Sequence, residues 1–395
     1  MRNEIYLNTL LNLRENLSVK LITGFRGVGK IGLLKSFIEH LKSEGVDDKQ
    51  IIFINFEETD NFENFQQLYL YINKKIADLD YAYLIFYEIQ QIDGWEKVIN
   101  AFFLGASVEI YIADSNEKIL LEKLVPMLPE NFDIIRMYPC SFSEYVRSFD
   151  TSDDNIAKLF EKYLNFGGLS RIFECSADDK ISRYLLDGLL YEALLKDVIE
   201  KYFVRNSRLF QMVLHFLAIQ PGTPVKKNGL KKYFDDLNRA ITPFTVENYL
   251  NIVNESGFFK KISRYDIKNT TVMNGGECFY CADTGMCNAL LGFNNFNESA
   301  LIKNVIFLEL CRRGYDVYSG KFGTMTTDFF TVLDDKRLCI QVLPTDDAAL
   351  SKKLLRVLYK LPNDVEKLLI SKYPVKVKEN VKNITITDFL LKDNF

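Results

Sequence analysis

A short, largely apolar run, Val19-Lys20-Leu21-Ile22-Thr23, leads directly into Gly24-Phe25-Arg26-Gly27-Val28-Gly29-Lys30, and a helical pattern follows over about 29–43. Nothing else in the chain constrains its fold as strongly. Three glycines between a strand and a helix let the backbone turn sharply and leave a helix N-terminus uncovered. Leu33, Leu34, Phe37, Ile38 and Leu41 recur on one face of that helix. Downstream come an apolar run at 51–56, a helix around 63–77, a run at 83–87, a helix around 95–104, a run at 108–114, a helix near 117–124 and a run at 133–138. Strands that alternate with helices and are mostly apolar on both faces predict an α/β domain with a parallel sheet covered on both sides, ending near residue 145.

The remainder reads differently. From about 152 to 220 the pattern is helical, broken by Gly167-Gly168. Three short helices at 207–219, 226–236 and 243–255 precede a strand over 258–266, an order that suits a winged-helix module. The last part runs helix (300–313), strands (315–319, 327–333, 338–342), helix (348–361), strand (366–370) and a closing segment, as in a small α/β domain. The expected domains are thus 1–145, 146–295 and 296–395.

Forty-nine Lys plus Arg against 53 Asp plus Glu give a net charge of −4. That excludes a global basic field, so any nucleic-acid binding must come from a local patch. Seven scattered cysteines, an odd number, do not form a secreted disulfide framework. The two histidines, His40 and His215, are too far apart in sequence to suggest a His-rich metal site or triad. No apolar stretch reaches membrane-spanning length and the first 20 residues lack a signal-peptide core, so a cytoplasmic protein without membrane partners is expected.

The glycine loop has the context of a phosphate cradle. Backbone N–H groups of residues 27–30 would face the phosphates, and Lys30 would reach the β and γ oxygens. Gly24, Gly27, Val28, Gly29, Lys30 and Ile31 are therefore the candidate contacts to ATP or ADP. Position 31 normally carries Ser or Thr, whose hydroxyl ligates Mg²⁺; Ile31 cannot. The second metal-holding position, an Asp ending a downstream strand, is Tyr87 in Leu84-Ile85-Phe86-Tyr87-Glu88. Glu88, which could orient an attacking water, remains as the candidate catalytic residue. Phosphoryl transfer relies on Mg²⁺ to neutralise charge on the phosphates. A cradle without protein ligands for the metal predicts nucleotide binding with weak or absent turnover, with Mg²⁺ use left open and no protein metal site expected.

Residues 20–34 (KLITGFRGVGKIGLL), 84–98 (LIFYEIQQIDGWEKV), 111–116 (YIADSN) and 139–145 (PCSFSEY) resemble a family of prokaryotic AAA+-like P-loop ATPases with a C-terminal domain of unknown function. Its usual strings are close to GxRRxGKTTLL, LDEIQ…GWE, TGSN and PLSFSEY. The resemblance continues through Gly167-Gly168-Leu169, residues 265–268, Asp283-Thr284-Gly285, residues 309–315 and Thr327-Asp328-Phe329. It implies that Ser115 and Asn116 are the polar sensor at the end of a central strand and that Glu88 is the catalytic glutamate. The departures are Ile31, Tyr87 and Glu130-Asn131, the last pair standing where relatives carry Gly-Arg. Three departures touching one reaction indicate a degenerate member. Relatives also imply that 296–395 is similar to restriction-endonuclease folds, with Glu309, Asp328 and Gln341 at the metal-site positions. Thr326 and Leu343 replace the usual Glu and Lys there, so a packing domain without catalysis is expected.

Helix 243–255 carries Glu247 and Glu255 and no base, so it is not expected to read a major groove. Lys226-Lys227, Lys231-Lys232 and Lys260-Lys261 leave weak backbone binding to DNA open beside a protein–protein or interdomain role. Cys278, Cys281 and Cys287 lack a fourth local ligand and are expected to be buried free thiols. Trp95 is expected, from its family match, to make a structural or interdomain contact near the Glu88 loop. Three functions follow: a nucleotide-binding switch or scaffold, an active ATPase with atypical metal coordination, or an interaction protein that no longer binds nucleotide. The first leads, with a protein partner or self-association expected.

Overall fold

The computed structural model describes residues 4–16, 18–58, 62–129, 131–149, 155–174, 178–294, 297–334 and 336–392. The chain divides into two compact units, Met1–Tyr138 with Glu255–Gly257, and Pro139–Asn254 with Phe258–Phe395. Glu130 lies outside the described residues, so the Glu130-Asn131 departure has no structural description.

The first unit runs α1 (Glu4–Asn12), β1 (Val19–Thr23), α2 (Lys30–Ser43), β2 (Ile51–Asn55), α3 (Phe65–Ile76), β3 (Ala82–Tyr87), α4 (Trp95–Gly105), β4 (Val108–Asp114), α5 (Glu117–Leu124) and β5 (Phe132–Arg136). All its strand pairs are parallel, in the order β2-β3-β4-β1-β5. The register of β1 between its neighbours, Thr23 opposite Asp114 and Arg136, brings the carboxyl ends of the central strands level. In open parallel sheets that edge is where ligands sit. The core is aliphatic and aromatic: Leu21, Ile54, Leu84, Phe86, Trp95, Ile99 and Ile112 are all buried in one cluster. Trp95 packs inside this core, the structural one of the two roles expected of it.

One exception to the apolar strands is charged. Lys20 on β1 and Glu109 on β4 are both buried, with Nζ 3.4 Å from Oε2. Lys20 also donates to the Asn16 carbonyl at 2.8 Å, and Glu109 accepts from Tyr81 at 2.5 Å and from Tyr111. Burial would push the Glu109 carboxyl up, but the Tyr111 and Tyr81 hydroxyls and the Glu15 N–H hold it below its usual range. A buried pair persists only when its remaining donors and acceptors are met in this way.

The second unit opens with α6 (Phe142–Arg147), α7 (Ile156–Phe166), α8 (Ser170–Glu174) and α9 (Asp179–Glu192), the last continuing as a π-helical stretch over Ala193–Glu200. Then come α10 (Ser207–Ile219), α11 (Lys227–Asp236), α12 (Pro243–Glu255), β6 (Phe259–Asp266), β7 (Thr271–Cys281), α13 (Thr284–Leu290), α14 (Glu298–Arg312), β8 (Asp316–Phe322), β9 (Met325–Leu333), β10 (Lys336–Leu343), α15 (Ala348–Lys360), β11 (Glu366–Ser371), β12 (Lys382–Thr385) and α16 (Ile386–Leu391). Three helices and an antiparallel hairpin do follow one another over 207–281. However, β6 of that hairpin pairs in parallel with β8, Arg264 opposite Ser319, in one seven-stranded sheet β12-β11-β10-β9-β8-β6-β7. The expected boundary at 295/296 therefore falls within a unit whose sheet is continuous by hydrogen bonding.

Several of the motifs that carried the family resemblance serve packing here. In the 139–145 string, Ser141 caps α6 by accepting from the Glu144 N–H at 3.0 Å, while the Glu144 carboxylate accepts from the Ser141 N–H at 2.7 Å. Phe142 and Tyr145 join Tyr163 in an aromatic cluster. At Gly167 a Cβ would stand 2.0 Å from the Asp283 carboxylate, and at Gly285 one would stand 2.1 Å from the Phe166 carbonyl oxygen. Only glycine admits that approach, in which Asp283 accepts from the Gly168 N–H at 2.7 Å and caps α13 through the Met286 N–H.

Candidate nucleotide site

The loop 24–29 leaves the end of β1 and enters α2 at Lys30. Gly27 and Gly29 have φ of 88° and 105°, in the left-handed region that other residues rarely enter. Gly24 is required for a second reason: a Cβ there would lie 2.5 Å from the Met137 carbonyl oxygen. The start of the loop is thus held by close backbone approach against the segment just past β5.

Lys30 is buried, and its ammonium donates to the Gly24 carbonyl at 2.7 Å and to Ser115 Oγ at 3.2 Å. Ser115, just past β4, in turn donates its hydroxyl at 2.7 Å and its N–H at 3.1 Å to Glu88 Oε1. The second Glu88 oxygen accepts from Gln90 Nε2 at 2.5 Å. Glu88 itself has φ 56° and ψ 43°, a strained setting for a non-glycine residue at the end of β3. The three residues expected from separate motifs therefore form one continuous chain, Lys30 to Ser115 to Glu88, across the carboxyl ends of three strands.

Asn116, the residue after Ser115, caps the following helix. Its side-chain oxygen accepts from the Ile119 N–H at 3.1 Å as the cap of α5, and its N–H donates to Asp114 Oδ1 at 2.7 Å. Gly27, Val28, Gly29 and Ile31 surround Lys30 in the loop and the first turn of α2.

Two features escaped the sequence reading. Arg26, inside the loop, is buried and paired with Glu57 just beyond β2. Thr23, at the end of β1, donates to Glu117 at 3.1 Å, and the same carboxylate takes a forked contact from Arg136, with Nη2 at 2.7 Å and Nε at 2.8 Å. An arginine among the glycines and an acid after the next strand were the only available signal for the first pair.

The loop fits a polyphosphate: it is glycine-lined, opens at a helix N-terminus and carries a buried ammonium. The residues do not fit Mg²⁺ in the usual way. Ile31 offers no oxygen, Tyr87 replaces the carboxylate, and Glu88 is engaged by Ser115 and Gln90. Among the described residues, no group of three His, Cys, Asp or Glu side chains is placed to hold a metal.

The candidate nuclease residues do not come together as one set. Asp328 on β9 pairs with Lys303 at 2.5 Å and accepts from the Val342 N–H at 2.8 Å. Gln341 contacts the same segment, accepting from the Asp328 N–H at 3.3 Å and donating to the Thr326 carbonyl at 3.0 Å. Glu309 instead binds Arg312 and Arg313, and those arginines tie down backbone carbonyls of Pro139 and Phe389. Glu309 and Lys303 are six residues apart on α14, which turns them to different faces. Cys278, Cys281 and Cys287 are buried, and burial pushes the Cys278 thiol up to about 11.

Residues 16–146 match a family model described as an AAA domain, and residues 157–297 match one described as a domain of unknown function. The parallel unit has the AAA-type P-loop fold. Two similar proteins span most of the chain. An uncharacterized Haemophilus influenzae protein is 27% identical over 347 residues, 86% of each chain. An uncharacterized Methanocaldococcus jannaschii protein is 23% identical, covering 94% of this chain and 85% of its own. Among solved structures, the replication initiator DnaA bound to AMPPCP and single-stranded DNA aligns with 64% of this chain and 88% of its own at 14% identity and a TM-score of 0.31. PCH-2 of C. elegans aligns with 48% of this chain and 60% of its own at 15% identity and a TM-score of 0.30. Likeness at that level carries no functional inference. No helix among the described residues is long and apolar enough to cross a membrane.

Proposed function

We propose that the first unit binds ATP or ADP through the 24–30 loop and acts as a switch or scaffold with little or no hydrolysis. The observation that carries this reading is the pairing of an intact cradle with two substituted metal positions. The sequence keeps Gly24, Gly29 and Lys30, and Lys30 is linked through Ser115 to Glu88, whereas Ile31 and Tyr87 stand where a hydroxyl and a carboxylate would hold Mg²⁺. A protein can transmit nucleotide state without chemistry if two of its arrangements bind the nucleotide with different affinity. We further read 207–281 as winged-helix-like, supported by element order, and 298–391 as a nuclease-like fold without its metal set. The proposed setting is cytoplasmic.

Sustained phosphate release that Lys30→Ala abolishes and Glu88→Gln suppresses would overturn the non-hydrolysing role in favour of an atypical ATPase. Absence of any thermal shift with millimolar ATP would overturn nucleotide binding itself, because a ligand that binds only the folded state must stabilise it.

A further inference from the structure

The second unit contains a cleft of about 1190 Å³, larger than the roughly 300–1,000 Å³ typical of small-molecule pockets. Its walls come from separate elements, and each contributes cations. Helix α15 supplies Lys353, Arg356 and Lys360, all exposed. At positions i, i+3 and i+7 they form a row about 10 Å long on one helix face. Facing elements add Lys226 ahead of α11, Arg264 on β6, Lys268 just beyond it, and Lys303 on α14. The single acid on the walls, Asp328, is already paired with Lys303. Among the described residues, none of the other six cations has a carboxylate partner within salt-bridge distance. A chain of net charge −4 therefore holds a concave, strongly positive surface.

We propose that this cleft binds the phosphate backbone of double-stranded nucleic acid without reading its sequence. The distribution of charge favours a polyanion: a single phosphate group is satisfied by two or three donors, whereas these cations line several walls. Thr223, Ser299, Thr324 and Thr326 supply neutral donors between them, as backbone-positioning contacts commonly do. Single-strand grooves add aromatic faces on which bases stack. Here Tyr280 is 2% exposed and already stacked on Phe307 at a centroid distance of 4.3 Å, and Phe322 packs against the local core. The cleft offers charge and hydroxyls but little stacking surface, which suits a duplex. A flat bilayer does not enter a concave site. Binding should not lead to cutting, because both Asp328 oxygens are engaged and Glu309 pairs elsewhere.

The test is fluorescence anisotropy of the full chain with a labelled duplex of roughly 20 base pairs, titrated between about 50 and 300 mM salt. Binding should weaken steeply with salt, with a log–log slope of about −5 for six cations on a duplex. Replacing Lys353, Arg356 and Lys360 together by Gln should weaken binding at least tenfold at the lowest salt and reduce the slope by about 3. Lys226→Gln with Lys268→Gln, on different elements, should weaken it too. Lys231→Gln with Lys232→Gln, exposed but outside the cleft, should leave affinity unchanged. Unchanged melting curves identify folded variants, and the two cleft variants guard against one misfolding. Any of four results overturns the proposal: no salt-dependent binding, wild-type affinity in both cleft variants, a clear preference for single strands, or a duplex bound no better than free polyphosphate of equal charge. None of these outcomes depends on whether the 24–30 loop binds nucleotide.

Discussion

Replacing Glu88 by Gln and by Ala should have sharply different effects on stability. Glu88 is 1% exposed; its Oε1 accepts from the Ser115 N–H and hydroxyl, and its Oε2 accepts from Gln90 Nε2. A glutamine keeps the Oε1 acceptor. Its new amide would meet the Gln90 amide, but Gln90 can turn over and present its own Oε1, a buried atom that has no partner among the described residues. The expected cost is under about 1 kcal/mol. Alanine strips three donors of their acceptor. The Ser115 hydroxyl can rotate away, leaving two buried N–H groups unmet at about 1–3 kcal/mol each, or about 2–6 kcal/mol. Both substitutes inherit the same φ of 56°, so backbone strain largely cancels. With a urea slope of about 1–3 kcal/mol/M, the alanine midpoint should fall by about 1 M or more while the glutamine midpoint barely moves. Equal midpoints for the two variants would refute the assignment of Glu88 as the hub joining β3 to β4.

Other outcomes follow from single contacts. Gly24→Ala places a Cβ 2.5 Å from the Met137 carbonyl and should cost about 1–3 kcal/mol in thermal or urea melts while weakening nucleotide binding. Gly32→Ala, inside α2 with nothing within 4 Å, should instead stabilise by about 0.5–1 kcal/mol. Burial pushes the Asp283 carboxyl from 3.8 up to about 6, against three backbone N–H donors. Because the folded value lies above the unfolded one, this group's contribution is full below pH 4 and is lost as pH rises through 6, by about 3 kcal/mol. Asp283→Asn, which cannot ionise, should remove that slope from urea midpoints measured across pH 4–7; an identical slope in the variant would contradict it.

Much of the first unit was legible because its determinants are local. Glycine placement announced the loop, alternating apolar runs announced the strands, and the 3.6-residue period placed α2 within a residue of where it forms. What the sequence hid depends on partners distant in the chain. Lys20 lies within the largely apolar run 19–23, and only the reach of its ammonium to Glu109 on β4, two residues before its register partner Tyr111, explains its burial. Ser115 was marked as a polar sensor, but its place between Lys30 and Glu88 emerges only when β1, β3 and β4 lie side by side. The pairing of β6 with β8 joins segments more than 50 residues apart, so no local pattern could have shown that the hairpin and the C-terminal strands share a sheet. Asp328 and Glu309 sit in the expected elements, yet the helical phase of α14 directs Lys303, not Glu309, toward Asp328. The cationic cleft was least visible of all, since its seven basic residues are spread between positions 226 and 360.

The most direct test is calorimetric titration of ATP and ADP into the wild type and Lys30→Ala, each with and without Mg²⁺. A nucleotide-sensing P-loop unit that lacks protein ligands for the metal should bind with measurable heat, lose at least tenfold in affinity with Lys30→Ala, and gain little from Mg²⁺. Strong Mg²⁺ dependence, or heat that survives Lys30→Ala unchanged, would contradict it.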